Sequence, residues 1–580
     1  MKKLCMLLCM LAAVFFLNTS AFAAADVPSV SVDNVTASEG ATVDVSVKIS
    51  DNTGICGATL KVQYDSRLTL TDISSGDAFS SMTFTKPGDL SANPVNLVWD
   101  SADADYTNGT IAVLSFKTPN AAGKYSVEVS YEEGGVVDGD LKPVLLNITN
   151  GNITVANQEV IQGSCGETVN WKLDNSGVLT ISGKGEMKNY TYKSEMPWYK
   201  YREQIQSVVV EDGVTTIGDY AFYGMPKMTS FNLPSGVTYI GAYAFKNCEA
   251  LKNIELPSTI TKIGESAFYG CSSLQKIAIP KGLYTIWAYT FKNCTSLSEV
   301  TLPSSLIKID EAAFYGCKSL KTLDIPDNVS IIGIYCFKNC SSLNSVSLPK
   351  KLTQIREAAF YGTALEEVVV PEGVTSVGAY AFKNCTLLKN ITLPESLTKI
   401  DESAFYACDK LSVLNVPGKV ESIGNYAFRK CEGLKTITLP ESLKTIGESA
   451  FYGCSGLSKL TIPEGVTSLG GYAFKSCVNV QTVMLPTTLE IIGESAFYGC
   501  TGVEEINIPK NVTTVGNYAF SSCSGLKTVV FNGDAPSIAP YAFSRVTADA
   551  YYPADNGTWT AGIMQNYGGK LTWIKMLNKR

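Results

Sequence analysis

The chain has 580 residues, with 47 basic against 54 acidic side chains and no histidine. That length exceeds one hydrophobic core and predicts two or more domains, and a net charge of −7 argues against nucleic acid or an anionic membrane as the main partner. Without histidine, Ser-His-Asp and Cys-His catalysis, His-based general acid–base chemistry and histidine-ligated zinc are excluded, whereas carboxylate-pair hydrolysis, which needs only Asp and Glu, stays open.

Lys2 and Lys3 precede an apolar run from Leu4 to Leu17, and Ala21-Phe22-Ala23 follows with small residues on either side of an aromatic. This order predicts a secretory signal over residues 1–23. The run is 14 residues long, short of the roughly 18 a membrane span needs. Cys5 and Cys9 each follow a leucine, which does not suit a lipoprotein site. No later stretch is long and apolar enough to span, and Lys575 to Arg580 carries neither a wall-sorting motif nor a hydrophobic tail. The expectation is an exported, extracellular chain; at a cell surface, another molecule would hold it.

Residues 27–155 do not repeat. Apolar and polar residues alternate in Val30–Val32, Val43–Ile49, Ala58–Val62, Val95–Trp99, Ile111–Phe116 and Tyr125–Val129, separated by turns containing Gly, Asp and Asn. That pattern predicts an antiparallel β-sandwich. Tyr64 and Trp99 lie within alternating runs and are assigned to its core. Asp103-Ala-Asp105-Tyr-Thr-Asn108-Gly109 has the outline of a calcium loop, but Thr107 and Asn108 replace an oxygen ligand and the glycine, and Leu114 stands where the closing acid belongs. It reads as a turn.

From there a phenylalanine recurs at 222, 245, 268, 291, 314, 337, 360, 382, 405, 428, 451, 474, 497, 520 and 543. Each spacing is 23 except the 22 between Phe360 and Phe382, and the prolines from Pro234 to Pro509 share that deletion between Pro349 and Pro371. Such a period marks a solenoid. In one unit Leu274, Ile277 and Ile279 predict a short strand closed by Pro280, which cannot donate to a ladder. A second extended piece carries Leu283 and Ile286. Ala267, Phe268 and Cys271 sit at near-helical spacing and predict about one helical turn. Stacking about 14 units at about 4.8 Å would make an elongated surface of roughly 70 Å.

Of the 17 cysteines, 12 fall three residues after the phenylalanine, from Cys248 to Cys523. Met225, Thr363 and Val546 hold the same position, so a column of buried thiols suits it better than a disulfide or metal framework. Cys336 and Cys340 are the only locally distinct pair. A period of 46 overlies the 23. Tyr223, Tyr269, Tyr315, Tyr361, Tyr406, Tyr452 and Tyr498 follow the phenylalanine in one set of units; Lys246, Lys292, Lys338, Lys383, Arg429 and Lys475 do so in the other. In that second set Tyr243, Tyr289, Tyr335, Tyr380, Tyr426, Tyr472 and Tyr518 lie two residues before it. Glu265, Glu311, Glu357, Glu402, Glu448 and Glu494 lie three before it in the first set. Stacked units would interleave rings with cations and acids with bases. The column is a candidate recognition stripe for a repetitive partner, or else packing that holds the stack together.

Two resemblances rest on these residues. The pattern in Gly264-Glu-Ser-Ala-Phe268-Tyr-Gly-Cys271 and Gly447-Glu-Ser-Ala-Phe451-Tyr-Gly-Cys454 resembles the BspA-like, surface-antigen type of bacterial leucine-rich repeat. Gly163 to Gly166, Trp171, Gly177 to Gly183 and Pro197-Trp198 resemble that family's N-terminal cap. Phe531 to Pro536, Tyr551 to Pro553, Trp559 and Leu571 to Trp573 resemble its C-terminal cap. Gly40 to Val47, Gly54-Ile-Cys-Gly57, Tyr64-Asp65, Gly109 to Phe116 and Asn150 to Val155 resemble a cohesin; a carbohydrate-binding module or another immunoglobulin-like sandwich are the alternatives. The fold class is therefore mainly β: a cohesin-like sandwich over 27–155, an N-terminal cap over 156–205, a right-handed leucine-rich-repeat solenoid over 206–546 and a C-terminal cap over 547–580.

The resemblances imply a non-catalytic binding or scaffold protein, a monomer without cofactor or metal. Its sandwich would dock dockerin-bearing secreted proteins in a cellulosome-like arrangement, and its solenoid would bind an extracellular protein or glycan in adhesion. A carbohydrate-binding surface protein tied to polysaccharide catabolism is the second reading. Acids that recur unit after unit do not form the single constellation an active site needs.

Overall fold

A computed structural model describes residues 27–156 and 161–576. The signal-peptide expectation lies outside the described residues. The chain divides into two compact units, residues 1–159 and 160–580.

In the first unit, alternation of β-branched and polar residues builds twelve strands: β1 (Ser29–Val32), β2 (Val35–Ser38), β3 (Thr42–Ser50), β4 (Ile55–Tyr64), β5 (Thr69–Ser75), β6 (Thr83–Thr85), β7 (Val95–Asp105), β8 (Gly109–Lys117), β9 (Gly123–Ser130), β10 (Val136–Asp138), β11 (Asn147–Thr149) and β12 (Gly151–Ala156). One sheet runs β11-β1-β3-β8-β5. The other runs β2-β12-β9-β4-β7-β6, with β10 on β4. Val45, Val47, Leu60, Val62, Leu97, Trp99, Leu114, Phe116 and Tyr125 fill the space between them. Two expectations need correction. The sandwich is not purely antiparallel, since β1 pairs with β11 and β2 with β12 in parallel. The Asp103–Gly109 stretch is not wholly a turn either: Asp103 to Asp105 finish strand β7, and only 106–108 form the connection to β8. Alternation also fails at two bulges, where Ile111 and Ala112, and Ile55 and Cys56, are buried side by side.

The second unit begins with an antiparallel hairpin pair, Val169–Leu173 against Ile161–Ser164 and Val178–Gly183. Val178 to Ile181 then receives Ser207 to Val210 in parallel and starts the stack. Each repeat contributes two short strands. Those of the second column, such as Lys308–Ile309 and Ile331–Ile332, pair in parallel with their equivalents, and nine of them form one sheet from Gln354 to Ile538. In the first column Lys276–Ala278 pairs with Glu299–Thr301, Thr322–Asp324 with Ser345–Ser347, and so on by twos. Thr547–Pro553 and Lys570–Met576 close the far end in parallel, over Phe531, Trp559 and Trp573.

The expected helical turn is absent: the phenylalanine segment is a run of tight turns, and no α-helix occurs among the described residues. Its cause is local. From Phe222 to Phe520 the residue two before each phenylalanine and the one two after are left-handed, as in Tyr243 (φ 58) and Asn247 (φ 62), or Ser266 (φ 54) and Gly270 (φ 75). Two such residues in one segment end helix propagation. The N–H groups point along the stack instead: Ser266, Phe268 and Gly270 donate to the carbonyls of Ala288, Thr290 and Lys292, at 3.0, 2.9 and 2.8 Å.

Candidate functional site

Behind the turn face, a ring ladder runs unbroken from Trp198 through Phe222 to Phe543. Neighbouring centroids in its regular part stand 5.1 to 5.7 Å apart, the range of offset stacking. Trp198 anchors the near end by donating its Nε1 proton to the Ala221 carbonyl at 2.8 Å.

The cysteine column lies beside this ladder. All fifteen cysteines among the described residues are free and buried, including Cys336 and Cys340. Each repeat thiol donates to the carbonyl of the preceding unit's phenylalanine, as Cys248 to Phe222 at 3.0 Å and Cys477 to Phe451 at 3.3 Å. Burial pushes the thiols of Cys248, Cys340 and Cys477 up to about 12. They stay protonated and unreactive.

The thirteen residues of the candidate stripe are Tyr223, Lys246, Tyr269, Lys292, Tyr315, Lys338, Tyr361, Lys383, Tyr406, Arg429, Tyr452, Lys475 and Tyr498. All are half-buried along the turn face. Lys246 Nζ sits 4.4 Å from the Tyr269 ring and 5.2 Å from Tyr243. Lys338 faces Tyr361 at 4.7 Å, Lys383 faces Tyr406 at 4.6 Å, and Lys475 faces Tyr498 at 4.7 Å. Lys292, Arg429 and Lys475 each face three rings; the nearest to Lys292 and Arg429 are Tyr315 and Tyr452, at 4.7 and 4.5 Å. Tyr223, at the head, is faced by Lys193 from the cap. Desolvation lowers the Lys246 pKa below the usual lysine range, and Lys292 adds to it.

The glutamates behave differently from expectation. They do not alternate with bases; they accept hydrogen bonds from the tyrosines one unit earlier. Tyr335 donates to Glu357 at 2.6 Å, Tyr380 to Glu402 at 2.8 Å and Tyr472 to Glu494 at 3.0 Å. Tyr289 donates likewise to Glu311, which pushes the phenol up to about 12. The physical reason is reach: the cations fold onto the rings, and the hydroxyls are left as the donors nearest the acids.

Sequence reasoning missed why the first column pairs by twos. The residue before proline is β-branched in alternate units (Ile279, Ile325, Val370, Val416, Ile462, Ile508) and leucine in the others (Leu302, Leu348, Leu393, Leu439, Leu485). The β-branched residues extend their strand by one more bond, as Ile279 N–H to Thr301 and Val416 N–H to Thr438. The signal was there in the alternation itself.

On the sandwich, Asp105 is buried and accepts from the hydroxyls of Ser81 and Thr107 and from the Thr107 N–H at 2.7 Å. Burial acts to raise its pKa, yet these bonds hold the carboxyl below the usual range. The group is engaged with its own chain. Tyr106, Leu141 and Leu145 are exposed in connections of the sandwich.

The model of the BspA type leucine rich repeat region matches residues 196–321, 263–387, 307–435 and 421–548, more than half of the sequence. The chain belongs to this family. Residues 28–155 match the cohesin domain model, and the first unit is a cohesin β-sandwich. Among solved structures, a leucine-rich repeat protein from Bacteroides ovatus is 25% identical, with a TM-score of 0.51, over 73% of this chain and 99% of that one. One from Eubacterium ventriosum is 27% identical over 63% and 95%, with a TM-score of 0.38. The sixth cohesin of the Acetivibrio cellulolyticus scaffoldin B, solved with a Cel5 dockerin, is 24% identical over 22% and 99%, with a TM-score of 0.20. No curated protein matches. Leucine-rich repeats of this type and cohesins are non-catalytic binding modules. No helix among the described residues is long and apolar enough to cross a membrane.

Proposed function

We propose that the chain is a secreted, non-catalytic scaffold whose cohesin sandwich docks a dockerin-bearing secreted protein while the BspA-type solenoid binds an extracellular protein in adhesion. The observation that carries this reading is the joining of a cohesin domain, residues 28–155, to a long leucine-rich solenoid in one chain. Each is a binding module, and neither the column of protonated thiols nor the recurring glutamates supplies a nucleophile with its base.

The test is affinity capture from the source organism's secreted proteins, using the full chain and, in parallel, residues 27–155, whose core closes on its own residues. Calcium-dependent capture of dockerin-bearing enzymes by both is expected, because dockerins are calcium-loaded modules. Absence of capture by either would remove the docking function. Capture by the full chain only would move it to the solenoid.

A further inference from the structure

One repeat departs from its neighbours on the second-column side. At the position where Thr238, Thr261, Thr353, Thr375 and Thr398 stand, this unit has Tyr284, 62% exposed. Where most units have glycine it has Trp287, 41% exposed. That glycine is there for space: a Cβ on Gly264 would fall 2.4 Å from the Ala242 backbone. The unit accommodates the indole with Thr290 in place of the usual alanine, its hydroxyl bonded to the Trp287 carbonyl at 2.7 Å. Large exposed aromatics brought together in one unit mark a contact surface.

Tyr284 borders an open groove with Ser305, Ile307, Asn328, Ser330 and Lys351. One side is flat and apolar, from Tyr284 and the 47%-exposed Ile307. The other is polar and held in place. Asn328 donates to the Ser304 carbonyl at 3.0 Å and accepts from Lys351 Nζ at 2.9 Å. Lys350 is neutralised by Asp327 at 2.8 Å, whereas Lys351 has no acidic partner among the described residues and no acid lines the groove. Lys262 lies 5.8 Å from the Trp287 ring and likewise has no acidic partner among the described residues. On a chain of net charge −7 this is a locally cationic aromatic surface.

We infer that this groove binds an acidic polysaccharide, one of whose uronic-acid rings stacks its C–H face on Tyr284. A pyranose has one apolar face and a rim of hydroxyls, which matches a flat aromatic wall opposite fixed amide and hydroxyl groups. The ring carboxylate meets Lys351, hydroxyls meet Asn328 Oδ1 and Ser330, and Trp287 offers a second stacking face in the same unit. Preorganisation of Asn328 by two existing bonds reduces the entropy lost on binding. The site lies on the solenoid and is independent of what the sandwich docks.

The test titrates the full chain with polygalacturonate and with a neutral β-glucan, by calorimetry at low and raised salt. Polygalacturonate is expected to bind, more weakly at raised salt, with the neutral polymer at least about tenfold weaker. Tyr284→Thr and Trp287→Gly restore the residues of neighbouring units and should each lower affinity about tenfold. Lys351→Gln should lower it about fivefold and flatten the salt dependence. Tyr192→Ala, at an exposed tyrosine of the N-terminal cap, should leave it unchanged, and circular dichroism checks that each variant folds. No binding, equal binding of both polymers, or full affinity in folded Tyr284→Thr and Lys351→Gln would each overturn the proposal.

Discussion

The Sγ of Cys271 donates to the carbonyl oxygen of Phe245, one unit back, at 3.1 Å. Repeated along the stack, this bond gives the neutral thiol a fixed place in the core. Burial raises its pKa well above the usual value, and for Cys248, Cys340 and Cys477 to about 12. In the unfolded chain a thiol titrates near 8.5. Between those values the unfolded state binds fewer protons, so stability falls as pH rises. The solenoid should hold full stability below about pH 8.5 and lose it progressively towards pH 12. Denaturant midpoints measured across that range check this, and a flat profile would contradict it. A thiol reagent at mildly alkaline pH should label the native chain slowly and the denatured chain quickly.

The phenylalanine ladder makes a second prediction. Phe405 is fully buried, with rings at 5.5 and 5.3 Å on either side. Phe405→Ala should cost about 3–5 kcal/mol. In a repeat array each unit leans on its neighbours, so the loss should spread to the amides of the adjoining turns, such as Phe382 and Phe428. Hydrogen exchange read residue by residue would show it. Exchange raised only within one unit would mean the rings stack without coupling.

A third prediction concerns the sandwich. Asp105 accepts from Ser81 and Thr107 while buried. Its folded pKa is depressed, so its contribution is present above the usual carboxylate range and lost as pH falls through the folded value. Asp105→Ala leaves Ser81 and Thr107 unpaired and should cost about 1–3 kcal/mol. Adding calcium should not raise the melting temperature of the wild-type sandwich unit, because the carboxylate is already occupied; a rise abolished in Asp105→Ala would point to a cation at that loop.

What the sequence revealed and what it concealed follow from the physics of each element. A 23-residue beat was legible because every unit needs the same buried phenylalanine, cysteine and proline. The strands of the sandwich were legible as alternation, except where bulges turn Ile111 and Ala112 inward together. The turn around Phe268 imitated a helix because Ala267, Phe268 and Cys271 are all buried at near-helical spacing. Only the backbone reveals the left-handed Ser266 and Gly270 that divert its N–H groups to the next unit. The Tyr–Lys column was legible, but its acids were assigned to cations, since spacing along a chain does not tell which side chain folds over which ring.

That column carries the last prediction. Lys383 Nζ lies 5.2 Å from the Tyr380 ring and 4.6 Å from Tyr406, and it is half-buried. The Asn384 side-chain amide donates to the Tyr361 hydroxyl at 3.1 Å and its backbone N–H to the Tyr406 carbonyl at 2.8 Å, so neither bond engages the Tyr406 ring. A cation so enclosed contributes about 0.5–1 kcal/mol at a partly exposed site. If the column is a rail that stiffens the stack, Lys383→Met should lower stability by about that much and leave capture of the solenoid's partner unchanged. If it is a recognition stripe, Lys338→Met, Lys383→Met and Lys475→Met together should abolish capture while shifting the melting temperature little. The internal pairing of every cation with a ring favours the first outcome. Measuring melting and capture on the same triple variant separates the two.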